Sequence, residues 1–126
     1  METQTEIMTT GQIAERLTQL CSQGEFEKAQ RELYADDAFS IEPHETPEFR
    51  KETRGLKAII EKGGKFASMV EMMHGARLST PLIVGNSIAL AMALDMTMKG
   101  QKRSLAKELC VYQVRDGKIA SEQFFI

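Results

Sequence analysis

The chain has 126 residues, 42% of them apolar and 27% charged, with 16 basic against 18 acidic residues and a formal net charge of −2. That length fits one domain rather than two, and the composition excludes wholesale disorder. A near-neutral balance without a clustered basic face gives no electrostatic reason to expect nucleic acid as a partner. No stretch approaches the roughly 20 apolar residues of a membrane helix, and the opening Met1–Thr5 run lacks the apolar core of a secretion signal. Cys21 and Cys110 each lie in an apolar pattern without a nearby Cys or His, so both are expected as buried free thiols of a cytoplasmic protein.

Residues 1–9 read as a loose lead-in. Ile13, Leu17, Leu20 and Cys21 form one helical stripe and predict a first helix over 10–22, capped by Thr9 or Thr10 and ended by Gly24. Phe26, Ala29 and Leu33 mark a second helix over 25–34. A short strand follows over 38–42, and the polar run 43–54 reads as a loop or flap. Leu56, Ile59 and Ile60 open a third helix near Gly55, which Gly63-Gly64 is expected to end or bend.

Beyond that point the pattern turns strand-like. Residues 68–80 form one candidate strand, although its start also fits a helix. Over 88–98, Ile88, Leu90, Met92, Leu94, Met96 and Met98 alternate with Ala89, Ala91, Ala93, Asp95 and Thr97. Lys99–Lys102 and Asp116-Gly117 are turn signals, the second a strong two-residue hairpin cue, and they separate strands over 104–114 and 118–126. Helices first and strands after imply an α+β architecture. The expected form is a cone: three N-terminal helices packed on a strongly curved antiparallel sheet that encloses a cavity.

Leu33-Tyr34-Ala35-Asp36-Asp37-Ala38-Phe39, Gly55 at the start of the third helix, and the ending Glu108 to Ile119 with its Arg115-Asp116-Gly117-Lys118-Ile119 run carry a family likeness. With these residues the chain resembles a SnoaL-like domain of the nuclear transport factor 2-like superfamily over nearly its whole length, 1–126. The resemblance implies the cone fold and one of several uses: polyketide cyclisation, isomerisation, dehydration, epoxide hydrolysis or non-catalytic binding. Cyclase-like relatives often carry a His-Trp-Asp-type segment on the last strand. Here that stretch reads Glu122-Gln123-Phe124, so the family's base is not carried over.

The candidate site residues depend on strand register. A two-residue turn at Asp116-Gly117 pairs Val111 with Glu122 and Leu109 with Phe124, which places Glu122 on one face with Leu90, Met92 and Leu94. A desolvated carboxyl there has a raised pKa and can act as general base or acid. The same count places Asp95, Glu108 and Tyr112 on the opposite face, with Asp95 and Glu108 near enough to share a proton. A one-residue bulge would exchange these faces, so both sets remain candidates.

His74, beside Met72 and Met73, is a further proton carrier or a hydrogen-bonded wall residue. Tyr34, Met72, Met92, Tyr112 and Phe124 are candidate ligand-lining residues, with the methionines read first as core filler, a description that a pocket wall also satisfies. His44 stands beside Glu42 and Glu45 without a second ligand cluster, so no metal is expected, and no cofactor-binding loop is present.

Two readings follow. The first is a domain that binds an apolar or weakly polar small molecule and performs cofactor-independent isomerisation, cyclisation or dehydration, with Glu122 as first candidate base and His74, Asp95 and Glu108 as alternatives. The second is a non-catalytic binding or dimerisation module, a homodimer through a sheet face carrying Ala89, Ala91, Ala93 and Cys110.

Overall fold

The computed structural model describes residues 7–126, and the first six residues of the expected lead-in lie outside the described part. Helix α1 spans Thr10–Ser22. Thr9 starts it through a capping box: its Oγ1 accepts from the Gln12 N–H at 3.1 Å, and Gln12 Oε1 accepts from the Thr9 N–H at 2.9 Å. Gly24, at φ +77°, stops it. The Gly24 and Glu25 N–H groups turn back to the Cys21 and Leu20 carbonyls, which would otherwise be left without partners. Helix α2, Phe26–Leu33, buries Ala29 and Leu33.

Strand β1, Tyr34–Ile41, begins directly at the end of α2, four residues earlier than its sequence pattern indicates. The polar segment after it contains a three-residue strand, β2, Glu52–Arg54, which pairs back onto β1. Helix α3, Leu56–Met69, runs through Gly63-Gly64. Two interior glycines cost about 1 kcal/mol each relative to alanine, and here that cost is outweighed: Gly63 packs against the Gln30 side chain of α2, and Ile59 is fully buried. Residues 68 and 69 are therefore helical, and strand β3 is Val70–Leu78. Strands β4 (Leu82–Val84), β5 (Ser87–Met98), β6 (Arg103–Arg115) and β7 (Lys118–Phe125) complete the chain.

The seven strands form one curved sheet in the order β2-β1-β7-β6-β5-β3, with β4 on β5. The expected all-antiparallel sheet needs one correction, because β1 and β7 pair in parallel. The chain can make this pairing because everything from β2 to β6 lies between the two strands in sequence, which is ample length for a crossover. Ile88, Leu90, Met92, Cys110, Tyr112 and Ile119 point from the sheet toward the helices, where they meet Ile13, Leu17, Leu20, Leu33 and Ile59 in one core.

Both C-terminal hairpins differ by one residue from the simple count. The β5–β6 ladder places Leu90 opposite Cys110 and Met92 opposite Glu108. At the β6–β7 turn, Asp116 (φ +52°) and Gly117 (φ +75°) both adopt the left-handed conformation of a two-residue hairpin turn. Arg115 pairs with Lys118 as expected, but the ladder then shifts by one residue past Val114–Ile119. Ala120 has no partner across the ladder, Tyr112 faces Glu122, and Cys110 faces Phe124. This bulge decides which side chains point inward.

Candidate functional site

Glu122 is 3% exposed, a buried carboxyl on the sheet's inner face. Two strands and one helix bring it its partners. Tyr34 Oη, at the start of β1, donates to Glu122 Oε1. Ser40, the parallel-register partner of Glu122, donates from Oγ to Oε2 at 2.7 Å. Lys62 of α3 donates from Nζ to Ser40 Oγ at 2.7 Å and to Glu42 Oε1 at 3.1 Å. Lys62 also lies 6.0 Å from the centroid of the Phe124 ring. The result is a hydrogen-bonded chain from the partly exposed Glu42 inward to Tyr34, and no buried side-chain polar atom among the described residues lacks a partner.

Burial pushes the Glu122 carboxyl above its ordinary range, while the Tyr34 and Ser40 hydrogen bonds and the Lys62 charge pull it back. Glu108, on the same inner face and half-buried, is pushed up to about 7, first by burial and then by the charges of Glu42 and Glu122, with Lys62 opposing. The Tyr34 and Tyr112 hydroxyls are held well above their usual value by burial, so both remain protonated donors at neutral pH. Burial likewise raises the Cys21 thiol to about 12 and the Cys110 thiol further, which removes both as nucleophiles. The group can therefore hold and move protons on carboxyls whose acidity burial weakens.

Of the residues singled out from sequence, Glu122, Glu108, Tyr34, Tyr112, Met92 and Phe124 all meet on this inner face. Glu108 joins Glu122 there because the bulge at Ala120 pairs Glu122 with Tyr112 instead of Val111, which corrects the placement of the two on opposite faces. Asp95 does not join Glu108. It lies opposite Leu105 on the outer face and makes a bidentate pair with Arg103, 2.9 Å from Nε to Oδ1 and 2.7 Å from Nη2 to Oδ2. That pairing, first through the hydrogen bond and then the charge, holds Asp95 below its ordinary range.

His74 is exposed on β3 and bonds Thr97 Oγ1 at 2.8 Å, away from Glu122. Met72 is 57% exposed. Cys110, expected on the outer face, is fully buried beneath the helices.

Sequence reasoning missed Ser40, Glu42 and Lys62. A signal existed for each. Ala38 and Ser40 on β1 and Glu42 just after it alternate on one face, and Lys62 follows Ile59 by three residues on the inward stripe of α3. The parallel β1–β7 pairing that joins them has no local signature.

The outer face of the sheet carries an open hollow of about 640 Å³, floored by Ala91 and Ala93 and walled by Arg77, Lys107, Leu109 and Phe125. Among the described residues, no three His, Cys, Asp or Glu side chains are grouped to hold a metal ion, and no helix is long and apolar enough to cross a membrane.

The SnoaL-like domain family model matches residues 8–126. Among solved structures, a candidate SnoaL-like polyketide cyclase from Mesorhizobium loti is 32% identical, covers 94% of this chain and 100% of its own, and superposes with a TM-score of 0.87. TerC, co-crystallised with polyporic acid, shares the fold at 10% identity and a TM-score of 0.77, over 93% of this chain and 90% of that one. A hypothetical protein of ketosteroid isomerase-like fold from Catenulispora acidiphila, in complex with trimethylamine, does so at 14% and 0.73, over 94% and 87%. No curated protein matches the chain.

Proposed function

The chain belongs to the SnoaL-like domain family, and from that premise we propose that it binds an apolar or weakly polar small molecule and performs cofactor-independent acid–base chemistry on it: isomerisation, cyclisation or dehydration. The observation that carries this reading is the buried Glu122 carboxyl, held between the Tyr34 and Ser40 hydroxyls beside the apolar core of the sheet's inner face. A carboxyl kept from water and poised toward neutral pH can take a proton from a weakly acidic carbon and return it elsewhere on the same molecule. In this proposal Glu122 is the proton carrier and Tyr34 the donor beside it. Glu108, nearer the solvent, is a second carrier. Met92, Tyr112 and Phe124 line the ligand.

Two proteins of the same fold were crystallised with small molecules, polyporic acid and trimethylamine, which supports a small-molecule ligand. Cys21 and Cys110 are free and buried, which suits a reducing compartment such as the cytoplasm.

The test is titration of methyl-labelled protein with a panel of polyketide-like quinones and steroid-like enones, reading the Met92 methyl resonance, followed by turnover assays of any binder. The expected result is a Met92 shift with at least one compound, and a fall in turnover of about 10²–10⁴-fold in Glu122→Gln. A panel that leaves Met92 unmoved, or full turnover in Glu122→Gln, overturns the reading.

A second reading, a homodimer through the sheet, rests on a different observation. Leu105, Leu109 and Phe125 are 56%, 44% and 43% exposed on the outer face, and Leu109 and Phe125 border the hollow floored by alanines. Such a surface is self-complementary in a two-fold dimer, where the large side chains of one copy enter the hollow of the other. It is compatible with catalysis on the inner face.

A further inference from the structure

Lys62 is 14% exposed at its side chain, an uncommon position for a lysine, and it has no hydrogen-bond acceptor to offer. It donates to Glu42 Oε1 and to Ser40 Oγ. This constrains Ser40. A hydroxyl that accepts from an ammonium has one proton left, and the geometry directs that proton to Glu122 Oε2. Reversal is excluded, because a Ser40 proton turned toward Lys62 would meet only other protons. Oε2 must therefore accept in every protonation state of Glu122. When Glu122 is neutral, its proton sits on Oε1 and the Tyr34 hydroxyl, which donates to the ionised carboxylate, turns to accept it.

We propose that Lys62 is the positioning residue of this site: anchored by Glu42, it sets the direction of the Lys62→Ser40→Glu122 chain and confines the exchangeable proton of Glu122 to the oxygen beside Tyr34. The proposal deepens the acid–base reading, on which it rests, by stating which carboxyl oxygen exchanges the proton with a ligand. Every group whose charge or bond reaches Glu122 is in view. β1 brings Tyr34 and Ser40, the residue after it is Glu42, β6 brings Glu108, Cys110 and Tyr112, α3 brings Lys62, and α1 brings Cys21. Lys62 is the cation that offsets the negative charge of the three glutamates. Its partner Glu42 is itself partly exposed, so the pair extends from the site to the solvent.

The experiment is isotope-edited infrared titration of the Glu122 carboxyl stretch in the full chain, wild type against Lys62→Met, Lys62→Arg and Ser40→Ala. No ligand is needed, so failure of the ligand panel and failure of this proposal are separate results. Wild type should show one protonated-carboxyl band. Lys62→Met should raise the titration midpoint by about one pH unit, a tenfold gain in proton affinity, because a favourable cation is lost. Lys62→Arg should restore the wild-type midpoint.

Ser40→Ala should split the protonated band into two environments, since either oxygen can then carry the proton. It should also shrink the effect of Lys62→Met in the double variant. Ser40→Ala reports on the proton's position even if Lys62→Met does not fold. An unmoved midpoint in folded Lys62→Met, or a single unchanged band in Ser40→Ala, overturns the proposal.

Discussion

Ser40 and Glu122 stand directly opposite one another on parallel strands, 82 residues apart in the chain, and the serine hydroxyl donates to the carboxyl at 2.7 Å. The pair ties the first strand of the fold to the last. It also couples a buried acid to a lysine that arrives from a helix between them.

That pairing gives the first prediction. Ser40→Ala removes a donor from a buried carboxyl and an acceptor from Lys62 without creating a large cavity. The cost should be about 1–3 kcal/mol, the usual range for leaving buried polar groups unsatisfied. Urea unfolding measures it, and a loss below about 0.5 kcal/mol would show that the bond adds little to stability.

The second prediction concerns pH. The folded Glu108 carboxyl is raised from 4.5 to about 7, so the folded chain retains a proton that the unfolded chain has already released. The resulting stabilisation is full below about 4.5, declines as pH rises, and is gone above about 7. Because the side chain is partly open to solvent, the swing is about 1–2 kcal/mol. Glu108→Gln cannot titrate and should flatten this part of the stability profile. Urea midpoints measured across that range provide the check, and an equal slope in variant and wild type would assign the effect elsewhere.

A third prediction tests the bulge. Ala120 is the residue without a partner in the β6–β7 ladder, so deleting it leaves a regular count from Arg115–Lys118 that still pairs Tyr112 with Glu122 and Cys110 with Phe124. Glu122 and Phe124 should keep their inward places. The deletion should therefore cost no more than about 1–2 kcal/mol, from the lost bend of the strand alone. Thermal unfolding followed by circular dichroism reads this, and a loss above about 3 kcal/mol would show that the core depends on the extra residue itself.

Leu109 provides the fourth. It is 44% exposed and borders the hollow on the outer face. If that face joins two copies, Leu109→Glu places a charge in a two-fold contact and should weaken association at least about tenfold, because one substitution acts twice. Sedimentation equilibrium measures the change. A wild type that stays monomeric at high concentration removes the dimer reading and leaves the inner-face chemistry untouched.

Gly117 gives the last. Its φ of +75° is strained for any residue with a side chain, and an added Cβ would also collide with Ile7. Gly117→Ala should therefore cost about 1–3 kcal/mol, more than the strain of the turn alone, read as a lower urea midpoint. Relief by the additional change Ile7→Ala would identify the collision as part of the cost.

The sequence by itself determined the helices, the alternation along β5 and the hairpin turn at Asp116-Gly117, because each is written in the spacing of neighbouring residues. The stripe from Ile13 to Cys21 and the glycine at 24 sufficed to bound α1. It also marked Glu122 as an acid among apolar neighbours. Only the tertiary structure decided which acids meet. The unpaired Ala120 moved Tyr112, Glu108 and Glu122 to one face, the β5–β6 register left Asp95 on the other beside Arg103, and the parallel union of β1 with β7 delivered Ser40. A side-chain period of two makes each strand's faces visible locally, whereas register is a contest between whole ladders and the core they bury. One bulged residue reverses its outcome without altering the pattern of the strand opposite.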